Sequence, residues 1–309
     1  ATPAASRAEP RGARAASAAA AAGRRSGEPA TRGLAAQPRA VPPAADPAGE
    51  LVQRTLGLLV RSLGSGGAEH CAGLARTLGA ERLRSRDAGG RSVLHRAAAQ
   101  GLGGLCSVLL GCPDVCDARA VDGEGYTALH AAAEAGHPDV CEKLLSLVPP
   151  GGWDGKDSGG QNALHVAAWR GHADVCRVLV GHEHFGGANA RDRVGRTALH
   201  WAAFFGHADA CRAILRAPRF GEANAFTWKA ARRTCGEGCT ALHLAALGGH
   251  AEACRAILGD PAFREATATD CSGCSALELA EEEGHSEAEA ALRRGAATAA
   301  TSASTGASA

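Results

Sequence analysis

Histidine and cysteine are the residues of this chain with most chemistry to offer, one as a proton carrier and metal ligand, the other as a nucleophile or thiolate ligand. The sequence holds 13 His and 12 Cys. Cys235, Cys239, Cys271 and Cys274 come nearest to a metal set, with Cys-x3-Cys and Cys-x2-Cys spacings that resemble zinc-ligand pairs. A tetrahedral site needs four sulfurs at about 2.3 Å from one ion. Unliganded loop cysteines are the other reading of the same four residues. No glycine-rich phosphate loop ending in Lys and Ser/Thr occurs, no nucleophile elbow, and no carboxylate pair outside the run Glu281 to Glu283. No catalysis, cofactor or metal is therefore expected.

Spacing explains most of the histidines. His95, His130, His165, His200 and His243 each follow a Leu, at intervals of 35, 35, 35 and 43 residues, and Glu278 stands 35 further on. A second column holds His137, His172, His207, His250 and His285, leaving His70, His182 and His184 as surface residues. Asp122, Gly125, Thr127, Ala128, Leu129, Ala132, Ala133 and Gly136 return as Asp192, Gly195, Thr197, Ala198, Leu199, Ala202, Ala203 and Gly206. Moving back 35 from Gly101, Cys106 and Leu109 lands on Gly66, Cys71 and Leu74, so residues 50–86 read as a divergent first unit. A residue type repeated by the unit serves the unit.

Each unit predicts two antiparallel helices and a turn. Thr127 can cap the first helix by accepting the His130 amide, and Ser275 with Glu278 makes a capping box in the last unit. Leu129, Ala132 and Ala133 form a small-residue face, and Gly136 ends the helix. Pro138 and Asp139 open the second helix, whose buried stripe is Val140, Cys141, Leu144, Leu145 and Val148. Neither helix can bury its apolar face alone, so the units must stack.

Composition bounds the rest. Lys and Arg number 33 against 32 acids, a formal charge of +1, which argues against nucleic acid as partner. No apolar run reaches the 18 or so residues of a membrane span; Leu56 to Leu63 is broken by Arg61 and Ser62. The sequence starts at Ala1 and has no Met, so it reads as processed or trimmed. Residues 1–49, with seven Arg against Glu9, Glu28 and Asp46, read as disordered or as an organelle transit peptide. The repeat domain is expected over 50–294, and Gly295 to Ala309 as a flexible tail.

The stretches Thr127 to His137, Asn162 to His172, Thr197 to His207 and Thr240 to His250 resemble the ankyrin family, whose signature runs Thr, small residue or Pro, Leu, His, any residue, Ala, Ala, then Gly-His. The resemblance spans about 240 residues. It implies an all-α solenoid of stacked helix-turn-helix units with β-turn or hairpin fingers. Ala replaces the family's Pro in the cap, and the extra residues fall after the second helix, at Pro149 to Trp153, Gly181 to Gly187 and Gly259 to Arg264, implying longer fingers. Cys71, Cys106, Cys141, Cys176, Cys211 and Cys254 stand where the family has a small aliphatic. Stacked helices lie about 8 to 10 Å apart, too far for disulfides, so these thiols should be reduced core fillers in an intracellular, reducing compartment, cytoplasm or nucleus.

In such arrays the turns and the outer side of the first helix line a concave binding surface. There the sequence places Trp169, Arg170, Phe204 and Phe205 in adjacent units, in a chain with 11 aromatics. They read as a binding hot spot or as cover over neighbouring loops. Tyr126, Arg193 and Arg196 are finger positions expected to join them. Aligning Asp192 on Cys235 isolates an insertion, Phe226 to Arg233, in which Trp228 would anchor and Lys229, Arg232 and Arg233 would steer an acidic partner; a loop neutral to function is the alternative. The expected role is a monomeric, non-catalytic adaptor or scaffold for another protein, or else the recruiting region of a larger enzyme or ubiquitin-ligase-type assembly.

Overall fold

A computed structural model of the chain describes residues 46–112, 117–147, 155–228 and 238–305. Val148, Pro149 to Trp153, Lys229, Arg232, Arg233 and Cys235 lie outside them. Thirteen α-helices are present among these residues, with one isolated bridge between Thr269 and Ser275. The first helices of successive units are α2 (Val93–Ala99), α4 (Ala128–Ala135), α6 (Ala163–Arg170), α8 (Ala198–Phe204), α10 (Ala241–Leu247) and α12 (Ala276–Glu282). The second helices are α3 (Gly103–Leu110), α5 (Pro138–Leu147), α7 (Ala173–Gly181), α9 (Ala208–Leu215), α11 (Ala251–Leu258) and α13 (Ser286–Thr305). Each row packs on its own kind, α2 on α4 on α6 onward and α3 on α5 on α7 onward, so the apolar face of one unit is closed by the next. In the divergent first unit α1 (Pro47–Leu83) is broken at Gly67 and Gly79, both at positive φ, and packs on α2 and α3.

The expected caps form. Thr127 Oγ1 accepts the His130 amide, Ser275 and Glu278 make the capping box, and Gly136 closes α4 in the left-handed region. The cysteine column is fully buried and its thiols are free. Burial in apolar surroundings pushes the thiols of Cys141, Cys211 and Cys254 up to about 12, so thiolate is suppressed.

Three expectations are corrected. Gly295 does not begin a flexible tail, because α13 continues through it to Thr305. Of the extra residues after the second helix, the described stretches Gly181 to Gly187 and Gly259 to Arg264 do not simply lengthen the finger tips: they carry Phe185 and Phe263, which with Phe220 form a column spaced 35 and 43 whose rings are buried against the core. The insertion is not Phe226 to Arg233. Thr227 takes the place of Asp192: its amide donates to Cys239 O (3.0 Å), Gly238 N donates to its carbonyl (3.1 Å), and its hydroxyl accepts Cys239 N (3.1 Å). Residues 229–237 thus stand where Val194 alone stands between Arg193 and Gly195. Cys235 falls on Asp192 when residues are counted back from His243, whereas the finger is defined by hydrogen bonds that Thr can make nearly as well as Asp.

Candidate functional site

The finger is built by one carboxylate. In the fourth finger Asp192 Oδ1 accepts the amides of Val194 and Arg196, while Gly195 at φ +89° returns its N–H to Asp192 O. The remaining oxygen, Oδ2, accepts from Arg196 Nε (2.8 Å) and Trp201 Nε1 (3.2 Å). Asp87, Asp122, Asp157 and Asp270 make the same paired backbone turns. Neighbouring tips are then tied edge to edge, Gly123 N to Gly89 O, Ser158 N to Glu124 O, Arg193 N to Gly159 O and Trp228 N to Val194 O.

Both histidine columns tie units together, save for His243, whose Nδ1 accepts the Thr240 amide but whose Nε2 has no hydrogen-bond partner among the described residues. A carbonyl can only accept, so Nε2 of His95, His130, His165 and His200 carries the proton donated to Tyr126, Gln161, Arg196 and Cys239 O of the following finger. Nδ1 accepts the amide of the cap residue. Burial disfavours the imidazolium and lowers His130, His165 and His200 to about 4. The second column reaches backward: His137, His172, His207, His250 and His285 donate Nε2–H to the carbonyls of Ala99, Glu134, Trp169, Phe204 and Leu247.

The expected patch is rearranged. Trp169, Phe204 and Phe205 are half-buried and packed on one another, with centroids 6.3 Å apart for Trp169–Phe205 and 5.0 Å for Phe204–Phe205. Trp201, which sequence reasoning missed, lies beneath them at 4% exposure, parallel to Phe205 at 6.1 Å. Arg170 covers the outer face of Trp169 at 4.2 Å and pairs with Glu134 at 2.7 Å. These rings are a cluster with one open edge, not free side chains. Arg196 is withdrawn from any partner: it is buried, bound to Asp192 and stacked over Trp201 at 4.0 Å. Tyr126 is withdrawn as well, being buried and stacked on His130 at 5.2 Å. Both side chains sit just before the N-cap, a position the fold turns inward to present its carbonyl to the cap histidine. Their spacing of 35 from Arg91 and Gln161 was the available signal. Arg193 and Trp228 remain exposed at the tips, Trp228 by 60%.

Cys239 is buried and disulfide-bonded, whereas the nine other described cysteines are free. A sulfur held in a disulfide is not a thiolate ligand, and Cys235 of the four-thiolate set lies outside the described residues. Among the described residues no helix is long and apolar enough to cross a membrane, and no group of three or more His, Cys, Asp or Glu is placed to hold a metal ion.

The family model described as ankyrin repeats (3 copies) matches residues 68–152 and 146–226, and the single ankyrin repeat matches 237–265. Among curated proteins none matches. A solved structure of similar fold is the ankyrin repeat domain of Bcl-3, described as a unique member of the IkappaB protein family, with TM-score 0.60 at 20% identity over 79% of this chain and 97% of that one.

Proposed function

The chain belongs to the ankyrin-repeat family, whose repeats are protein-interaction modules, and from that premise we propose that it is a non-catalytic adaptor or scaffold that takes its partner on the finger and first-helix surface of its third to fifth regular units. The observation that carries this reading is the half-open cluster of Trp169, Phe204 and Phe205 capped by Arg170, because aromatics and Arg that are preorganised by their neighbours are what interface hot spots are made of. Arg193 and Trp228 flank it at the tips, and Lys229, Arg232 and Arg233 extend the basic character in sequence. The two columns of structural histidine support a non-catalytic role, since all of them but His243 use Nε2 in a hydrogen bond between units. The free thiols favour a reducing compartment, cytoplasm or nucleus, with the Cys239 disulfide as the one finding against it.

Capture of the cellular partner by the full chain tests the surface. Arg170→Glu and Arg193→Glu should reduce capture by about tenfold or more, as loss of a central charged contact does. Arg177→Glu and Arg255→Glu, on the second helices, should leave it unchanged. Equal loss in both pairs, or loss only in the second pair, sinks the assignment.

A further inference from the structure

A second column of side chains runs along the base of the fingers. Arg86, Val121, Lys156, Arg191 and Phe226 are spaced by 35 and occupy one position of successive fingers. Each cation reaches forward one unit: Arg86 donates to Val121 O, Lys156 Nζ to Arg191 O (2.9 Å) and Arg191 Nη1 to Phe226 O (2.9 Å). Such a contact holds the head group in place while leaving other N–H donors of ammonium or guanidinium free. Arg86 and Lys156 are exposed and have no ion-pair partner within 4 Å among the described residues; Arg191 is shared with Glu222 at 2.6 Å. Arg119 and Arg193 add two exposed cations, against the acids Asp117, Glu124 and Glu222. The finger carboxylates of Asp87, Asp122 and Asp192 are engaged by backbone amides and by Arg96, Arg91 and Arg196, and that of Asp157 by amides.

The column ends on apolar surface. Phe226 is 37% exposed and Trp228 60%, the highest among the large exposed hydrophobic residues described. Trp228 lies against Gly195, where a Cβ would come within 2.7 Å of the indole, and Arg191 stands 5.6 Å from the ring centroid. The indole is thus seated against Gly195 with Arg191 over its ring and most of its surface exposed, beside a groove of about 420 Å³ lined by Arg191, Glu222, Phe226 and Trp228.

We propose that this strip docks an extended acidic segment of a protein partner, with carboxylates against Arg86, Lys156 and Arg191 set about six and then about three residues apart, and an apolar side chain stacked on Trp228. The register follows from geometry. Equivalent positions in neighbouring fingers lie about 10 Å apart, the width of two paired chains, and an extended peptide advances about 3.3 Å per residue. The proposal rests on the reading of the chain as a protein-binding module, but it concerns a surface other than the Trp169 cluster.

The probe is a fluorescein-labelled peptide of about twelve residues with carboxylates at that spacing, about six and then about three residues apart, and a terminal Phe, read by anisotropy against the full chain. Trp228→Ala should weaken it by about tenfold, with Trp228→Phe within about threefold of wild type. Arg86→Glu with Lys156→Glu should weaken it and flatten its salt dependence, whereas Arg170→Glu should not. The proposal is overturned if a Lys-substituted peptide, a peptide with its carboxylates clustered, or a single-stranded oligonucleotide of equal charge binds as tightly, or if Trp228→Ala has no effect. Partner capture that depends on Arg170 but not on Trp228 would sink the strip and leave the Trp169 cluster standing; capture that depends on Trp228 but not on Arg170 would do the reverse.

Discussion

Replacing Gly171 by Ala probes the joint between units more sharply than any core truncation. Gly171 sits at φ +78°, and a Cβ there would lie 2.6 Å from His207 Nδ1 and 2.7 Å from its Cγ. Three effects add. The left-handed conformation costs Ala about 1 to 2 kcal/mol. The imidazole must move, which breaks its bond to Trp169 O (3.0 Å) at about 1 kcal/mol. Forcing a methyl into that contact adds about 1 to 2 kcal/mol, and the stiffer unfolded chain returns up to about 1. The net expectation is about 3 kcal/mol. Gly284 occupies the same position in the last unit at φ +75°, but no following histidine is there and nothing lies within 4 Å of its Cβ site. Gly284→Ala should therefore show the backbone cost alone, about 1 kcal/mol. In thermal melts the two differ as roughly 6–12 °C against 2–4 °C. In a His207→Ala background Gly171→Ala should fall to the Gly284 value. Equal losses at Gly171 and Gly284, or no rescue by His207→Ala, would refute the claim that Gly and His lock neighbouring units together.

Under reducing conditions, deleting residues 229–236 should leave the melting temperature nearly unchanged, whereas deleting 226–233 puts Cys235 in the place of Thr227 and should cost about 1 kcal/mol more, the worth of its hydroxyl bond to Cys239 N; identical melts would return the insertion to 226–233. Acid should destabilise the fold: His130, His165 and His200 are held near 4 when folded against an ordinary 6.5, so the unfolded chain binds more protons and stability is lost as pH falls from about 6.5 toward 4, by about 1 kcal/mol per pH unit for each histidine near pH 5. A urea midpoint that is flat between pH 7.5 and 5 contradicts this. Cys176→Val should be nearly neutral and Cys176→Asp should cost several kcal/mol as an unpaired buried charge, with rapid labelling of Cys141, Cys176 and Cys211 in the native protein arguing against their burial.

What was legible in the sequence follows from what repetition can encode. The caps, the helix-ending Gly136 and the cysteine column recur at a fixed spacing, and each has a local reason, so the unit could be read from one copy and checked on the next. The roles of the two histidine columns were only half legible: their regularity marked them as structural, but their acceptors lie one unit away, at carbonyls that carry no sequence signal. Exposure was the weakest inference. Tyr126, Arg196 and Trp201 are amphipathic residues whose apolar bodies are buried, Arg196 and Trp201 with their polar ends on Asp192 and Tyr126 with its ring stacked on His130. Composition alone does not tell such residues from the open Trp228. The Phe185, Phe220 and Phe263 column was present in the spacing, yet it was hidden among residues counted as extra loop.

The central claim, that a protein partner lies across the first-helix and finger surface, is tested most directly by site-specific photo-crosslinking of the full chain in its own cells. A benzophenone amino acid placed at Arg170 or at Arg193 should give the same crosslinked protein by mass spectrometry, and at Glu142 or Arg255 on the second helices it should give none. Crosslinks to one protein from Glu142 and Arg255, with none from Arg170 and Arg193, would contradict the account.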